Sequence, residues 1–358
     1  MRSDLGTAAA FALLLLLPAT PVSAASGDLA AARMPHAELG SEFWNLTARF
    51  DTGEYLMIEL CITNIGLGDA NAAVIGHLIE ADGTVHSFDG AKSRGEWTLS
   101  DDRLHMVIGK LELDQRGPVH RLHIWKERVR VDLAFEAAGE DTRLSAPESR
   151  DRGFDLLGTE TAITGQLWTQ GSEERTVQGR LVRTHRWTEK IESSFVLRRI
   201  ELFTLDGDTS VYLVDTTDPS GGAESWLRVQ RDERVLVAER VSTRLVWTKE
   251  PAPEGFPLPE SIEIEGNGVR GRFELGLDLV RYDPLRELPA AVRWVLAPFI
   301  RWRTAWSAAP FELEIATAAD GPLKLRGRGV SNVTYFNEVS PTMNVATPPA
   351  EVSCGSDC

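Results

Sequence analysis

The stretch Arg183-Thr184-His185-Arg186-Trp187 concentrates side chains able to do chemistry. On an extended strand Arg183, His185 and Trp187 alternate onto one face. A guanidinium, an imidazole and an indole placed together can orient a guest in a mostly apolar pocket. The same face can instead pack at a boundary between two domains, with His185 bonded to a loop carbonyl. Glu42 and Trp44 form a second alternating pair, and an indole at the start of a barrel strand either plugs the core or lines a site. Trp44, Arg183, His185 and Trp187 are therefore the candidate ligand-binding residues.

The other histidines and the cysteines offer less. His120 and His123 are three apart, so on a strand they point to opposite faces. If Asp82-Gly83 is a two-residue turn, His77 falls opposite Phe88 and Ile79 opposite His86, and the two imidazoles share a face as diagonal neighbours. Zinc would need a third and a fourth ligand, and none is in view, so no metal site and no cofactor are expected. Cys61 lies in the apolar run Tyr55–Ile62 and reads as a buried, inert thiol. Cys354 and Cys358 sit at the end of a polar tail, where a bridge between them would close too short a loop to stabilise much. The chain carries no Gly-x-Ser-x-Gly, phosphate loop, His-Glu-x-x-His or Ser-x-x-Lys element, so no catalytic residue is assigned.

A net charge of −15 without a long basic run argues against nucleic acid as a partner. Arg2, the apolar run Ala8–Leu17 and the small residues Val22-Ser23-Ala24 read as a signal peptide over residues 1–24, which implies a periplasmic or secreted protein.

These candidates must be positioned by strands. Val129–Phe135, Ile262–Glu265 and Phe311–Ile315 alternate apolar and polar residues, as strands with one wet face do. Asp82-Gly83 and Asp206-Gly207 are hairpin signals between such runs. In the last hairpin, a loop at Ala319-Asp320-Gly321 sets Ile315 against Leu325, Glu314 against Arg326 and Glu312 against Arg328. Strand candidates recur about every ten residues, the spacing of sandwiches and barrels rather than of βαβ units. The fold class is all-β, with a Pro-, Ser- and Thr-rich tail after Pro341 expected to be disordered over residues 341–358.

Two motifs carry a family resemblance. Glu42-Phe43-Trp44-Asn45 resembles the aromatic "EWWY" opening, and Gly179 to Trp187 resembles the "G-x-x-Y-x-D-H-x-W" element, of the two-domain lipocalin-like proteins. That group holds the AttH-like proteins, the carotenoid 1,2-hydratases and the survival-factor-like lipid binders. The resemblance implies two consecutive lipocalin-like antiparallel barrels, about residues 39–187 and 188–340. It also implies a ligand that is a lipid, an isoprenoid or another apolar small molecule, or alternatively a hydratase or cyclase acting on an isoprenoid. In the second motif Gly179, His185 and Trp187 match, whereas Val182 replaces the aromatic residue and Thr184 the acid. Protonating an alkene needs a positioned acid, which Thr184 cannot be, so binding is the favoured reading.

One segment departs from the β pattern. Across Asp283–Ser307, Leu288, Val292, Val295, Phe299, Trp302 and Trp306 fall on one face of a helix with Pro298 inside it. Such a helix either closes the second barrel or rests on a membrane surface through Trp302 and Trp306.

Overall fold

The computed structural model describes residues 29–65, 69–136, 142–143, 151–157, 161–204, 209–231, 234–247, 257–276, 278–283, 302–316 and 321–336. The signal-peptide segment, the Asp206-Gly207 turn and the tail after Pro341 lie outside the described residues.

The first antiparallel sheet is built from β1 (Ser41–Phe50), β2 (Tyr55–Thr63), β3 (Asn71–Ile79), β4 (Val85–Lys92), β5 (Trp97–Leu99), β6 (His105–Ile108), β7 (Leu111–Asp114), β8 (Val119–Trp125), β9 (Val129–Glu136), β10 (Thr142–Arg143), β11 (Arg152–Leu156), β12 (Thr161–Thr169) and β13 (Arg175–Thr188). Its order is β4-β3-β2-β1-β13-β12-β9-β8-β7-β6-β5, and β11 joins the far end of β13 with β10 outside it. The sheet curls until β4 and β6 touch. The second sheet holds β14 (Arg198–Thr204), β15 (Thr209–Thr217), β16 (Ala223–Arg231), β17 (Arg234–Trp247), β18 (Pro259–Gly266), β19 (Val269–Glu274), β20 (Asp278–Tyr282), β21 (Arg303–Ile315) and β22 (Leu323–Tyr335). Pairing of β19 with β21 and of β14 with β22 closes this sheet into a ring. The protein is thus two lipocalin-like barrels in sequence; the ring of the second is closed, and β20 lies outside it, paired with β21 alone.

Each barrel buries an aliphatic interior. Leu46, Ala48, Phe50, Leu60 and Leu133 fill the first, and Ile200, Leu213, Leu227, Ile262 and Val333 the second. A third apolar layer lies between them. Met57, Ile79, Leu156 and Val182 on the outside of the first barrel meet Phe203, Tyr212, Val214, Trp306 and Val330 on the outside of the second. Strands β1, β2, β13, β14 and β22 therefore have both faces buried, and their residues alternate between a barrel interior and the layer between barrels.

Three expectations need correction. The hairpin after β3 has a three-residue loop: Glu80 N donates to Thr84 O at 2.8 Å, and Gly83 takes a φ of 88°. His77 consequently pairs with Ser87 and His86 with Leu78, which puts the two histidines on opposite faces. In the last hairpin Ile315 pairs with Leu323 and Glu312 with Arg326. The register is two residues from the expected one, which preserves the faces because side chains repeat every two residues. Finally, Arg303–Ile315 is strand β21, so the helix reading fails over residues 303–307. Thr304 and Trp306 face the layer between barrels while Ala305 faces the interior, a period of two that pairing with β20 and β22 enforces. Residues 284–301 of that segment lie outside the described residues.

Gly76 sits directly opposite Phe88, and a Cβ there would come within 2.1 Å of the phenyl ring. Gly76→Ala should therefore cost about 1–3 kcal/mol by overpacking, read from the urea midpoint. A cost under about 0.5 kcal/mol would show that the ring moves aside freely.

Candidate functional site

The inward face of β1 and β13 carries Glu42, Trp44, Arg183, His185 and Trp187, brought together by the pairing of Trp44 with His185 and of Glu42 with Trp187. The indole of Trp44 stacks on the His185 ring at 4.8 Å. His185 is fully buried, with Nε2 2.7 Å from Glu42 Oε1 and Nδ1 2.6 Å from the Leu29 carbonyl. That carbonyl can only accept, so Nδ1 donates. Glu42 also accepts from Arg33 N at 2.7 Å and Met34 N at 2.8 Å. Trp44 Nε1 and Gln115 Nε2 donate to Ala30 O, and the Arg33 guanidinium lies 3.8 Å over the Trp187 ring. Arg183 donates to Gln115 Oε1 at 3.2 Å and lies 3.2 Å from His120 Nδ1. These side chains form a clasp around residues 29–34, which enter the end of the first barrel as a plug.

The other face of the same strands borders a cavity of about 240 Å³ between the barrels. Its floor comes from the first barrel: Phe43 on β1, Glu59 and Cys61 on β2, Ala73, Ile75 and His77 on β3, and Arg186 on β13. Tyr282, Trp302, Thr304, Trp306, Asn332, Thr334 and Phe336 wall it from the second. The charged groups of the lining are linked to one another. Arg186 donates to Glu59 at 3.0 Å, and its Nε stands 3.4 Å from Glu192 in the turn Glu192–Ser194 that links the barrels. Arg199 pairs with the same Glu192 oxygen and with Glu201 at 2.9 Å, and Tyr212 OH donates to Glu201 at 3.1 Å. Asn45, its amide oriented to satisfy both neighbours, donates to Glu59 at 2.9 Å and accepts from Arg186 at 2.7 Å. A single ionic chain thus runs from the cavity floor across the linker into the second barrel.

Burial and the charges of this chain shift the groups around it. Desolvation, then Glu59, pushes the Cys61 thiol well up, so it is protonated at neutral pH. Burial and Glu201 raise the Tyr212 phenol, which keeps it a donor. Burial lowers His77 to about 4, so its ring is neutral. Its Nδ1 lies 2.9 Å from Ser87 Oγ and its ring meets Tyr282 edge-on at 5.5 Å. Among the described residues no group of three or more His, Cys, Asp and Glu side chains could hold a metal ion.

Against the sequence reading, Trp44, Arg183, His185 and Trp187 do share one face, but it is the plugged interior of the barrel and not the cavity. Cys61, read as a buried, inert thiol, is half-buried in the cavity lining, where desolvation keeps it protonated. Trp306 is 7% exposed between the barrels, and Trp302 stands in the cavity wall, so neither lies on an outer face as membrane contact requires. Glu59, Arg186 and Glu192 were missed, because each reads as an ordinary charged residue until the barrels meet. One signal was present: Thr184, where the resembling motif has its acid, faces the same layer as Glu59. Register places Thr184, Asn45 and Glu59 side by side across β13, β1 and β2. A carboxylate, that of Glu59, thus stands in the row of Thr184 two strands away.

No family profile matches the sequence, and no curated protein matches it. Solved structures do resemble it. An AttH-like protein of Nitrosomonas europaea aligns with a TM-score of 0.64 at 13% identity, covering 90% of this chain and 100% of its own. CghA aligns at 0.60 and 11%, covering 87% of this chain and 95% of its own, and has also been solved with Sch210972. Kievitone hydratase of Nectria haematococca aligns at 0.57 and 9%, covering 84% of this chain and 90% of its own. At these identities the likeness establishes a shared two-barrel fold.

Two outcomes test this geometry. Glu42→Gln should cost about 1–3 kcal/mol, the penalty for leaving buried donors without their acceptor; a urea midpoint matching the wild type would show that the clasp holds nothing. His77 is neutral when folded and titrates near 6.5 when unfolded, so the unfolded chain binds more protons between about pH 6.5 and 4. Its contribution is fully present above that window and is lost as the pH falls through it. Between pH 7 and pH 5 the wild type should lose about 2 kcal/mol more stability than His77→Gln. Equal losses would place His77 in water.

Proposed function

We propose that the cavity between the barrels binds a compact, mostly apolar small molecule, and that the exported protein acts through this ligand. The observation that carries the reading is the distribution of its lining: aromatic and aliphatic side chains from both barrels, with the charged groups linked to one another. Small-molecule sites have this composition, and about 240 Å³ stands just under their usual range of ~300–1,000 Å³. An isoprenoid or lipid of modest length suits it, or one end of a longer chain. The interiors of the two barrels are filled by their own side chains and, in the first, by residues 29–34. Export rests on the signal-peptide reading of residues 1–24.

A second reading is supported by Glu59. Its carboxylate borders the cavity in the row that contains Thr184, and one neighbour in fold is named a hydratase. A carboxylate held against an apolar guest can serve as the base in addition or removal of water. Incubation with isoprenoids, followed by mass spectrometry for a product one water heavier or lighter, tests this, and turnover should vanish in Glu59→Gln.

Binding is separable from structure by comparing faces. An apolar guest should quench tryptophan emission, and Trp306→Ala should weaken it by about 1–3 kcal/mol through lost apolar contact. Ala73→Phe, which fills the floor, should abolish it. Trp187→Ala should lower thermal stability without changing affinity. Affinity lost in Trp187→Ala and kept in Trp306→Ala would move the site to the plugged barrel.

A further inference from the structure

We propose that the guest of this cavity is an organic cation, a substituted ammonium or an equivalent positive centre on an apolar body. The inference rests on the reading of the cavity as a ligand site and adds the charge of its ligand. It starts from a count. Among the described residues the ionic chain holds three carboxylates, Glu59, Glu192 and Glu201, against two guanidiniums, Arg186 and Arg199. One negative charge is left over.

Its position follows from the pairing. Glu192 lies between both guanidiniums, and Glu201 takes Arg199 and the Tyr212 hydroxyl. Glu59, at the cavity end, has Arg186 and Asn45. It is also the most open of the three, with 22% of its side chain exposed against 13% for Glu192 and 4% for Glu201. A charge facing a poorly hydrated space calls for a counter-charge. Beyond Arg186, already counted, His77 and Cys61 among the described lining residues add no positive charge: burial leaves His77 neutral and Cys61 protonated. Carboxylates also outnumber cations among the charges that act on Cys61, with Glu59 ahead of Arg186.

The aromatic walls favour the same sign. Phe43 and Phe336 already lie against guanidiniums, at 4.0 Å from Arg186 and 4.9 Å from Arg199. Tyr282, Trp302 and Trp306 complete the lining, and indole and phenol faces attract cations most when water is excluded. An anionic guest meets the opposite situation. The terminal nitrogens of Arg186 already donate to Glu59 and Asn45, and its Nε stands 3.4 Å from Glu192, so an anion approaching Arg186 also approaches two carboxylates.

The test uses three probes of one shape: benzyltrimethylammonium, its neutral carbon isostere neopentylbenzene, and an arylacetate of similar size. Affinities are read from tryptophan fluorescence and calorimetry on the full chain. The cation should bind at least about ten-fold tighter than the isostere, with the anion weakest. Glu59→Gln should reduce the cation-to-isostere ratio toward one. Should that variant fold poorly, Ile75→Lys, which introduces an ammonium directly opposite Glu59, should do the same. Equal binding of cation and isostere, or a ratio unmoved in a folded variant, would overturn the proposal and leave an uncharged apolar site standing. Failure of all three probes to bind would overturn it together with the reading of the cavity as a ligand site.

Discussion

Side chains on β1 and β13 must alternate, and both faces of these strands are covered. Most antiparallel sheets have one wet face, so a polar residue can be placed there at little cost. Here that outlet is closed, and each charged residue on the shared strands needs a partner inside the protein. Glu42 and His185 satisfy each other and the plug on one side. Glu59 and Arg186 do so on the other. The clasp and the cavity are two consequences of one doubly buried pair of strands.

The resembling motifs divide along the same line. In the first, Glu42 and Trp44 face the plug while Phe43 and Asn45 face the layer between barrels. In the second, His185 and Trp187 face the plug while Thr184 and Arg186 face that layer. The positions that match the family best, His185 and Trp187, thus hold the barrel end closed. Those that depart from it, Phe43, Asn45, Val182 and Thr184, face the layer between barrels, and of these Phe43 lines the cavity. A change there leaves the clasp intact, and one fold can in this way carry different sites.

The ionic chain also joins the barrels mechanically. Glu192 belongs to the linker, yet it pairs with Arg186 of the first barrel and Arg199 of the second. Removing a member would leave a buried charge unpaired, a cost of several kcal/mol. The relative placement of the barrels, and with it the shape of the cavity, is therefore tied to the charge pattern along its lining.

Much of the fold was legible in the sequence, because a period of two identifies strands and assigns residues to faces without knowing what covers them. Arg183, His185 and Trp187 were placed together on that basis, and the last hairpin kept its faces despite a shifted register. Alternation does not say which face is the interior of a barrel and which meets the second barrel. That choice needed the closed sheet, and it moved the site from His185 to Arg186, one residue away. Loop length settled the His77 hairpin in the same manner, since one extra turn residue reversed a face. The cavity chemistry was beyond the sequence for a further reason. Glu59, Arg186, Glu192 and Arg199 come from two strands of one barrel, a linker and a strand of the other. Only the packing of the barrels removed them from water and made their unequal charges matter.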